Sequence, residues 1–106
     1  MRKSMAKPKY PWPLSLVMST YVFEDGSELW PSGRELFSYL SPDGRRMNVI
    51  VANPLTPEGR EFVVITSTIR KFSGGAEASS EEKERVIQAF RDYFRERKAR
   101  YRFAES

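Results

Sequence analysis

Residues 62–98 read FVVITSTIRKFSGGAEASSEEKERVIQAFRDYFRERK, and a change of period inside this stretch decides the fold. Residues 62–69 are rich in β-branched side chains, and Phe62, Val63, Val64 and Ile65 are apolar on both faces of an extended chain. Such a strand needs cover, and a helix over one face is expected. Ser73, Gly74 and Gly75 break the run. Ser79 and Glu82 then form a capping box, in which each side chain satisfies an amide that the first helical turn leaves orphaned. From there Val86, Ile87, Phe90, Tyr93 and Phe94 recur at helical spacing and make one apolar stripe. Glu81, Glu82 and Glu84 open the helix, whereas Arg91, Arg95, Arg97 and Lys98 close it, and both groups suit the helix dipole. Glu81 and Arg85 are placed for an i,i+4 pair worth about 0.2–0.5 kcal/mol.

Upstream, the pattern switches to short strands and tight turns. Met47, Val49 and Val51 share one face of a strand over residues 46–53. Residues 54–60, with two prolines and a glycine, read as a loop. Ser41-Pro42-Asp43-Gly44 has proline second and glycine fourth, the pattern of a type I turn. Phe37 and Tyr39 alternate with Ser38, so residues 35–40 read as a strand. Pro31-Ser32-Gly33 reads as a break, with Glu28, Leu29 and Trp30 as a strand before it. Asp25-Gly26 predicts a type I′ hairpin turn, which needs positive φ at both central positions. It would connect back to a strand within residues 14–23, which read LSLVMSTYVF. Downstream, Arg100, Tyr101, Arg102 and Phe103 alternate as a short terminal strand. The expected fold is α+β: an antiparallel meander of about five strands, one long C-terminal helix packed on it, and a short last strand. Residues 14–106 form its single domain, behind a basic, proline-broken arm at 1–13.

The charge is not evenly spread. The chain of 106 residues carries 18 Lys+Arg against 14 Asp+Glu, a net +4. Arg2, Lys3, Lys7 and Lys9 supply four positive charges before the first acid, so the remaining 14 basic and 14 acidic groups cancel. A high isoelectric point therefore reports a tail, not a basic domain. Pro8, Pro11 and Pro13 break the segment after it, where a secretory signal would need an apolar stretch of about 7–15 residues. A cytoplasmic location is the expectation. The longest apolar runs are four residues, so no membrane-spanning helix is expected.

Chemistry is narrowed by what is missing. With no Cys and no His, the chain lacks thiol nucleophiles, thiolate metal sites and the commonest general base. No catalytic residue, metal site or cofactor is expected. Asp25 and Asp43 adjoin glycines in turns, where aspartate serves local hydrogen bonds. Gly74-Gly75 lacks the lysine and Ser/Thr that follow in a phosphate loop. Two binding readings remain. A protein partner suits Trp30, Arg34, Arg45 and Arg46, whose types are those of the turn-rich ends and of interface hot spots. Nucleic acid suits the arm residues Arg2, Lys3, Lys7 and Lys9 together with Arg95, Lys98, Arg100 and Arg102, beside which Tyr93, Tyr101 and Phe103 are candidates to stack on bases. A third, lesser reading is a homo-oligomeric structural subunit, of a type found in phages, that pairs through a free sheet edge.

Residues 62–98, about a third of the chain, also carry a family resemblance. The run Ser67-Thr68-Ile69-Arg70-Lys71-Phe72 ends a strand, and Ser80-Glu81-Glu82-Lys83 opens a helix after a short loop. This joint resembles that of small bacterial immunity proteins of polymorphic toxin systems. The resemblance implies a cytoplasmic inhibitor that neutralises a cognate toxin by tight binding and occlusion, a task that uses no catalytic residue. The uneven charge suits an acidic or neutral target.

Overall fold

The capping box forms as the sequence requires. Ser79 Oγ accepts from the Glu82 N–H at 3.1 Å, Glu82 Oε1 accepts from the Ser79 N–H at 2.8 Å, and the helix α1 runs Ser80–Glu96. The structure is a computed structural model that describes residues 19–106; the arm at 1–13, and the part of the expected first strand up to residue 18, lie outside them. Ahead of α1 come β1 (Tyr21–Val22), β2 (Glu28–Gly33), β3 (Leu36–Leu40), β4 (Arg46–Ala52), β5 (Leu55–Thr56), β6 (Gly59–Arg60) and β7 (Phe62–Ile65). A 3-10 turn follows at Thr66–Thr68, and β8 (Tyr101–Ala104) comes after α1.

Among the described residues the main sheet has the order β1-β2-β3-β4-β7-β8. Its first five strands pair antiparallel as a meander, while β8 lies parallel to β7, with Val64 opposite Phe103. A parallel pair cannot be joined by a tight turn and needs a crossover, which α1 supplies. The fold is α+β, as expected, with the terminal strand present.

Register assigns the faces. Leu29, Tyr39 and Met47 line up across β2, β3 and β4, as do Phe37 with Val49 and Val51 with Val64. All are buried, and all face α1, which contributes Val86, Ala89, Phe90, Tyr93 and Phe94. Phe94 is the hub. Its ring stacks on Phe62 at 4.8 Å and on Tyr101 at 5.5 Å, and meets Tyr93 and Phe37 edge-on at 5.4 and 5.9 Å. Tyr93 donates its hydroxyl to the Ser19 carbonyl at 2.7 Å, and burial pushes this phenol up to about 12. Buried Arg97 lies over the Tyr93 ring at 3.8 Å and donates to Ser19, so the C-terminal end of α1 is tied to the start of the described chain.

Five local readings change. The 24–27 turn is not type I′: Gly26 alone has positive φ, with its N–H donating to the Phe23 carbonyl and that of Phe23 to Ser27. This is the three-residue hairpin loop that ends in a left-handed glycine. Asp25 keeps ordinary backbone angles because its carboxylate already accepts the Ser27 N–H at 2.9 Å. Pro31-Ser32-Gly33 does not end the strand. It lies inside β2, where the register slips between Pro31 and Gly33, and a bulge is where proline is tolerated. The strand expected over 62–69 stops at Ile65, because Thr68 Oγ1 donates back to the Ile65 carbonyl at 2.6 Å and accepts from Ile50 N–H. The 54–60 loop carries the small β5–β6 hairpin. Arg85 turns from Glu81 to a tertiary partner, Asp25.

Helix α1 ends in a Schellman motif. The Lys98 N–H reaches the Arg95 carbonyl, the Ala99 N–H reaches that of Phe94, and Lys98 takes φ 55° where glycine is usual. Two stability changes of opposite sign follow. Phe94→Ala removes the ring hub and is expected to cost about 3–5 kcal/mol. Lys98→Gly relieves the left-handed conformation and is expected to stabilise by up to about 1 kcal/mol. Urea unfolding of the two variants beside the wild type checks both, and a destabilised Lys98→Gly contradicts the strain.

Candidate functional site

A sheet packed on one face by a helix has a second face to account for. Trp30, Ser38 and Asn48 stand in register on it across β2, β3 and β4, and Arg46 is one pair along. The Arg46 guanidinium lies over the Trp30 ring at 5.5 Å, a cation–π arrangement. Its Nη2 donates to Ser38 Oγ at 3.0 Å and its Nε to Asn48 Oδ1 at 3.3 Å. Ser38 Oγ is buried and lies 2.7 Å from Asn48 Oδ1 and 2.8 Å from Ser32 Oγ. These bonds hold Arg46 in place although the residue is exposed. Ile50 and Leu36 continue the face, with Ile50 44 % exposed. Among the described residues no helix packs on this side. The result is a firm platform that displays a half-buried tryptophan, an oriented arginine and an exposed isoleucine.

A second feature lies at one end of the sheet. Successive turns of a meander alternate between ends, so the two Asp-Gly turns share one. The N-terminal part of α1 meets them there. Arg85 donates Nε to Asp25 at 2.7 Å and Nη2 to Ser27 Oγ at 2.9 Å, and covers the Phe23 ring at 4.9 Å. Arg45 donates Nε to Asp43 at 3.0 Å and Nη2 to Glu82, and covers the Phe72 ring at 4.3 Å. Between these pairs runs a cleft of about 270 Å³, with Tyr39, Phe72 and Pro42 among its walls. Hydrogen bonds from Arg85 hold the Asp25 carboxyl well below the usual carboxylate range, with Ser27 adding to the effect against burial. Glu82 is lowered by the Ser79 amide and then by Arg45.

The four residues selected for a protein partner are thus divided. Trp30 and Arg46 come together on the platform. Arg45, next in sequence to Arg46, serves the cleft on the other side of the sheet. Arg34 is exposed in the β2–β3 turn at the far end. The two turn aspartates had only a local role in the sequence; their repeated Asp-Gly context could place both turns at one end of the meander, but the Arg85 partner of Asp25 lies 60 residues away and had no local signal.

The basic set is divided too. Arg95 and Lys98 are exposed. Arg100 is engaged by Thr56 at 2.9 Å and lies within 3.8 Å of Glu58 and Glu61, and Arg102 pairs with Glu61 at 3.3 Å. Tyr93 is buried, Tyr101 stacks inward on Phe94, and Phe103 lies beneath Arg91 at 5.1 Å. Arg2, Lys3, Lys7 and Lys9 lie outside the described residues. Among the described residues no group of three acidic side chains is arranged to hold a metal ion, and no helix is long and apolar enough to cross a membrane. Comparison with family models, curated proteins and solved structures gives no match for this chain.

The Asp25–Arg85 pair has a pH signature. A carboxyl whose folded value is depressed stabilises the fold above its unfolded value of about 3.9, and that stability is lost as pH falls from there toward the folded value. The pair is partly exposed, so about 0.5–1 kcal/mol is expected at pH 7. Asp25→Asn should therefore lower stability at pH 7 and lose most of its effect near pH 2. Urea titrations of both proteins at the two pH values test this, and a difference that is the same at both rules out the linkage.

Proposed function

We propose that this chain is a non-catalytic protein-binding module that works by covering its target, as an immunity-type inhibitor does. The observation that carries the reading is the pre-ordered Trp30–Arg46 pair on the sheet face that, among the described residues, no helix covers. Tryptophan and arginine are the residue types most enriched among binding hot spots, and a side chain already held in place loses little entropy on binding. Arg45 and Arg85 are committed to internal pairs, whereas Trp30 and Arg46 stand on a face that no helix covers among the described residues. The resemblance of residues 62–98 to immunity proteins supports the inhibitory role, and an occluding inhibitor needs no reactive group.

Charge narrows the target. The 14 acids balance the 14 basic groups that follow residue 9, and Arg46 adds a local positive charge to the platform. An acidic or neutral protein surface is the complement, and the four charges of residues 1–9 would speed its approach. Nucleic acid is the competing partner. Exposed Arg95 and Lys98 favour it, whereas Arg100 and Arg102 are held by their own acids.

The test is capture from nuclease-treated extract of the native host with wild type, Trp30→Ala and Arg46→Ala. The expected outcome is one stoichiometric protein held by the wild type, bound about 30-fold more weakly by each variant, the loss typical of a hot spot. Undiminished binding by Trp30→Ala removes the platform from the interface. Capture that depends on nucleic acid, falls steeply with salt and weakens in Arg95→Gln and Lys98→Gln replaces the reading with the nucleic-acid one. A solution mass that is a multiple of 12.3 kDa, with no other protein retained, replaces it with a self-assembling subunit.

A further inference from the structure

The main sheet has two edges, and they differ. At one, β1 has two residues; at the other, β8 has four, and among the described residues no strand pairs along its outer side. The β7–β8 ladder fixes which groups are free there. The Phe62 N–H donates to the Arg100 carbonyl at 2.9 Å. In a parallel ladder alternate residues bond the same neighbour, so Arg102 and Ala104 turn their amides and carbonyls to β7. The N–H and C=O groups of Tyr101 and Phe103 therefore point outward, and such a row is a template for another strand. Tyr101, Phe103 and Ala104 are half-buried, and Arg102 is exposed. Both rims of this edge are basic. On the helix side Arg91 lies over the Phe103 ring at 5.1 Å, Arg95 follows one turn on, and Lys98 lies exposed at the helix end. Among the described residues these cations form no ion pair. On the other side the Arg102 side chain is 56 % exposed, and its acid, Glu61, is shared with Arg100.

We propose that the β8 edge pairs with an extended, acidic segment of a protein partner, which adds a strand to the six of the main sheet. Main-chain bonds to Tyr101 and Phe103 hold the segment, as in other cases of strand addition. Side chains of a strand alternate between faces, so carboxylates on it meet Arg102 on one side and Arg91 and Arg95 on the other. Charge selects this occupant over a second copy of the chain. An antiparallel copy that pairs Tyr101 with Phe103 uses every outward group of both strands, and it sets Arg102 against its own counterpart, a like-charge contact that destabilises. Centring the pair on Phe103 instead brings together the two Arg91 side chains that cover that ring. The outward carbonyls select a peptide over a nucleic-acid backbone, because phosphodiester groups accept hydrogen bonds and carry no donor for them. This inference rests on the reading of the chain as a protein-binding module, but its site is four strands away from Trp30 on β2.

The experiment uses the full chain and free probes, so it needs no identified partner. Amide spectra and amide exchange are followed during titration with a short peptide of alternating glutamate and valine. The comparison probes are its lysine–valine counterpart, the acidic peptide with its backbone N-methylated throughout, and a thymidine oligonucleotide. In the free chain the Tyr101 and Phe103 amides should exchange rapidly and those of Arg102 and Ala104 slowly. The acidic peptide should shift residues 101–104 saturably and slow exchange at Tyr101 and Phe103 about tenfold or more, while the lysine and methylated peptides do neither. Arg102→Glu should weaken the acidic peptide about fivefold or more and bring the lysine peptide onto the same amides, whereas Trp30→Ala changes nothing. Absence of saturation by the acidic peptide overturns the proposal, as does equal binding of the lysine or the methylated peptide. Tighter saturation of these amides by the oligonucleotide replaces it with a nucleic-acid site. Slow exchange at Tyr101 and Phe103 in the free chain, with a solution mass that is a multiple of 12.3 kDa, replaces it with a second copy. If Arg102→Glu does not fold, Arg91→Gln takes its place, and an unchanged affinity for the acidic peptide there overturns the proposal. Loss of the platform reading in the capture experiment does not alter these outcomes.

Discussion

The aromatic contact between α1 and the sheet is the constraint on which the rest depends. Phe94 touches Phe37 on β3, Phe62 on β7, Tyr101 on β8 and its own helical neighbours Phe90 and Tyr93. One side chain thus joins the meander, the crossover and the last strand. Burying a ring of this kind contributes roughly 1.5–3 kcal/mol, and favourable ring geometry adds about 0.5–1.5 kcal/mol for a pair. A domain of this size has only about 5–15 kcal/mol of net stability. The helix stripe is therefore a large share of what keeps the sheet folded, and it decides which face of the sheet is spent on folding. Among the described residues no helix covers the opposite face.

Electrostatics follow from the same geometry. With α1 crossing the helix-side face, its N-terminal part arrives at the end where the two Asp-Gly turns lie. Arg85 then meets Asp25, and Glu82 meets Arg45. Each arginine also lies over a buried phenylalanine, Phe23 or Phe72, so its stem and plane cover the rim of the core while its nitrogens stay with carboxylates. The other end shows a similar economy. Arg100 and Arg102 lie beside the β5–β6 hairpin and Glu61, and Arg97 covers Tyr93. Several of the arginines that gave the chain its basic look are thus parts of the fold.

The legible part of the structure was the part written in period and capping. Ser79 and Glu82 marked the helix start, the Val86–Phe94 stripe marked its buried face, and the alternation at Met47, Val49 and Val51 marked a half-buried strand. What was not legible depended on partners distant in sequence. Arg85 has Glu81 as a local option and prefers Asp25, because a tertiary contact with Ser27 and Phe23 offers it more than one bond. Pro31 reads as a strand breaker, yet a bulge absorbs it between two strands. Thr68 looks like a strand residue, but its hydroxyl closes a 3-10 turn. In the candidate site, residue type and expected exposure selected Trp30, Arg34, Arg45 and Arg46 as one set, and only the register of the strands shows that Trp30 and Arg46 share a face while Arg34 and Arg45 lie elsewhere.

Arg45 and Arg46 show why proximity along the chain misleads here. Successive residues at a strand start point to opposite faces. Arg46 therefore goes to the platform with Trp30, and Arg45 goes to the helix side with Glu82 and Phe72. A dipeptide that looks like one basic patch is divided by the sheet into two cations with different neighbours. Each has its plane set against an aromatic ring and its nitrogens set by hydrogen bonds or carboxylates. Neither resembles the mobile, solvated cation that follows a phosphate backbone. Both are fixed groups whose orientation is set by their neighbours within the fold. The sheet therefore turns what reads in the sequence as one basic cluster into two separate charges, one paired with acids on the helix side and one held by neutral side chains on the opposite face.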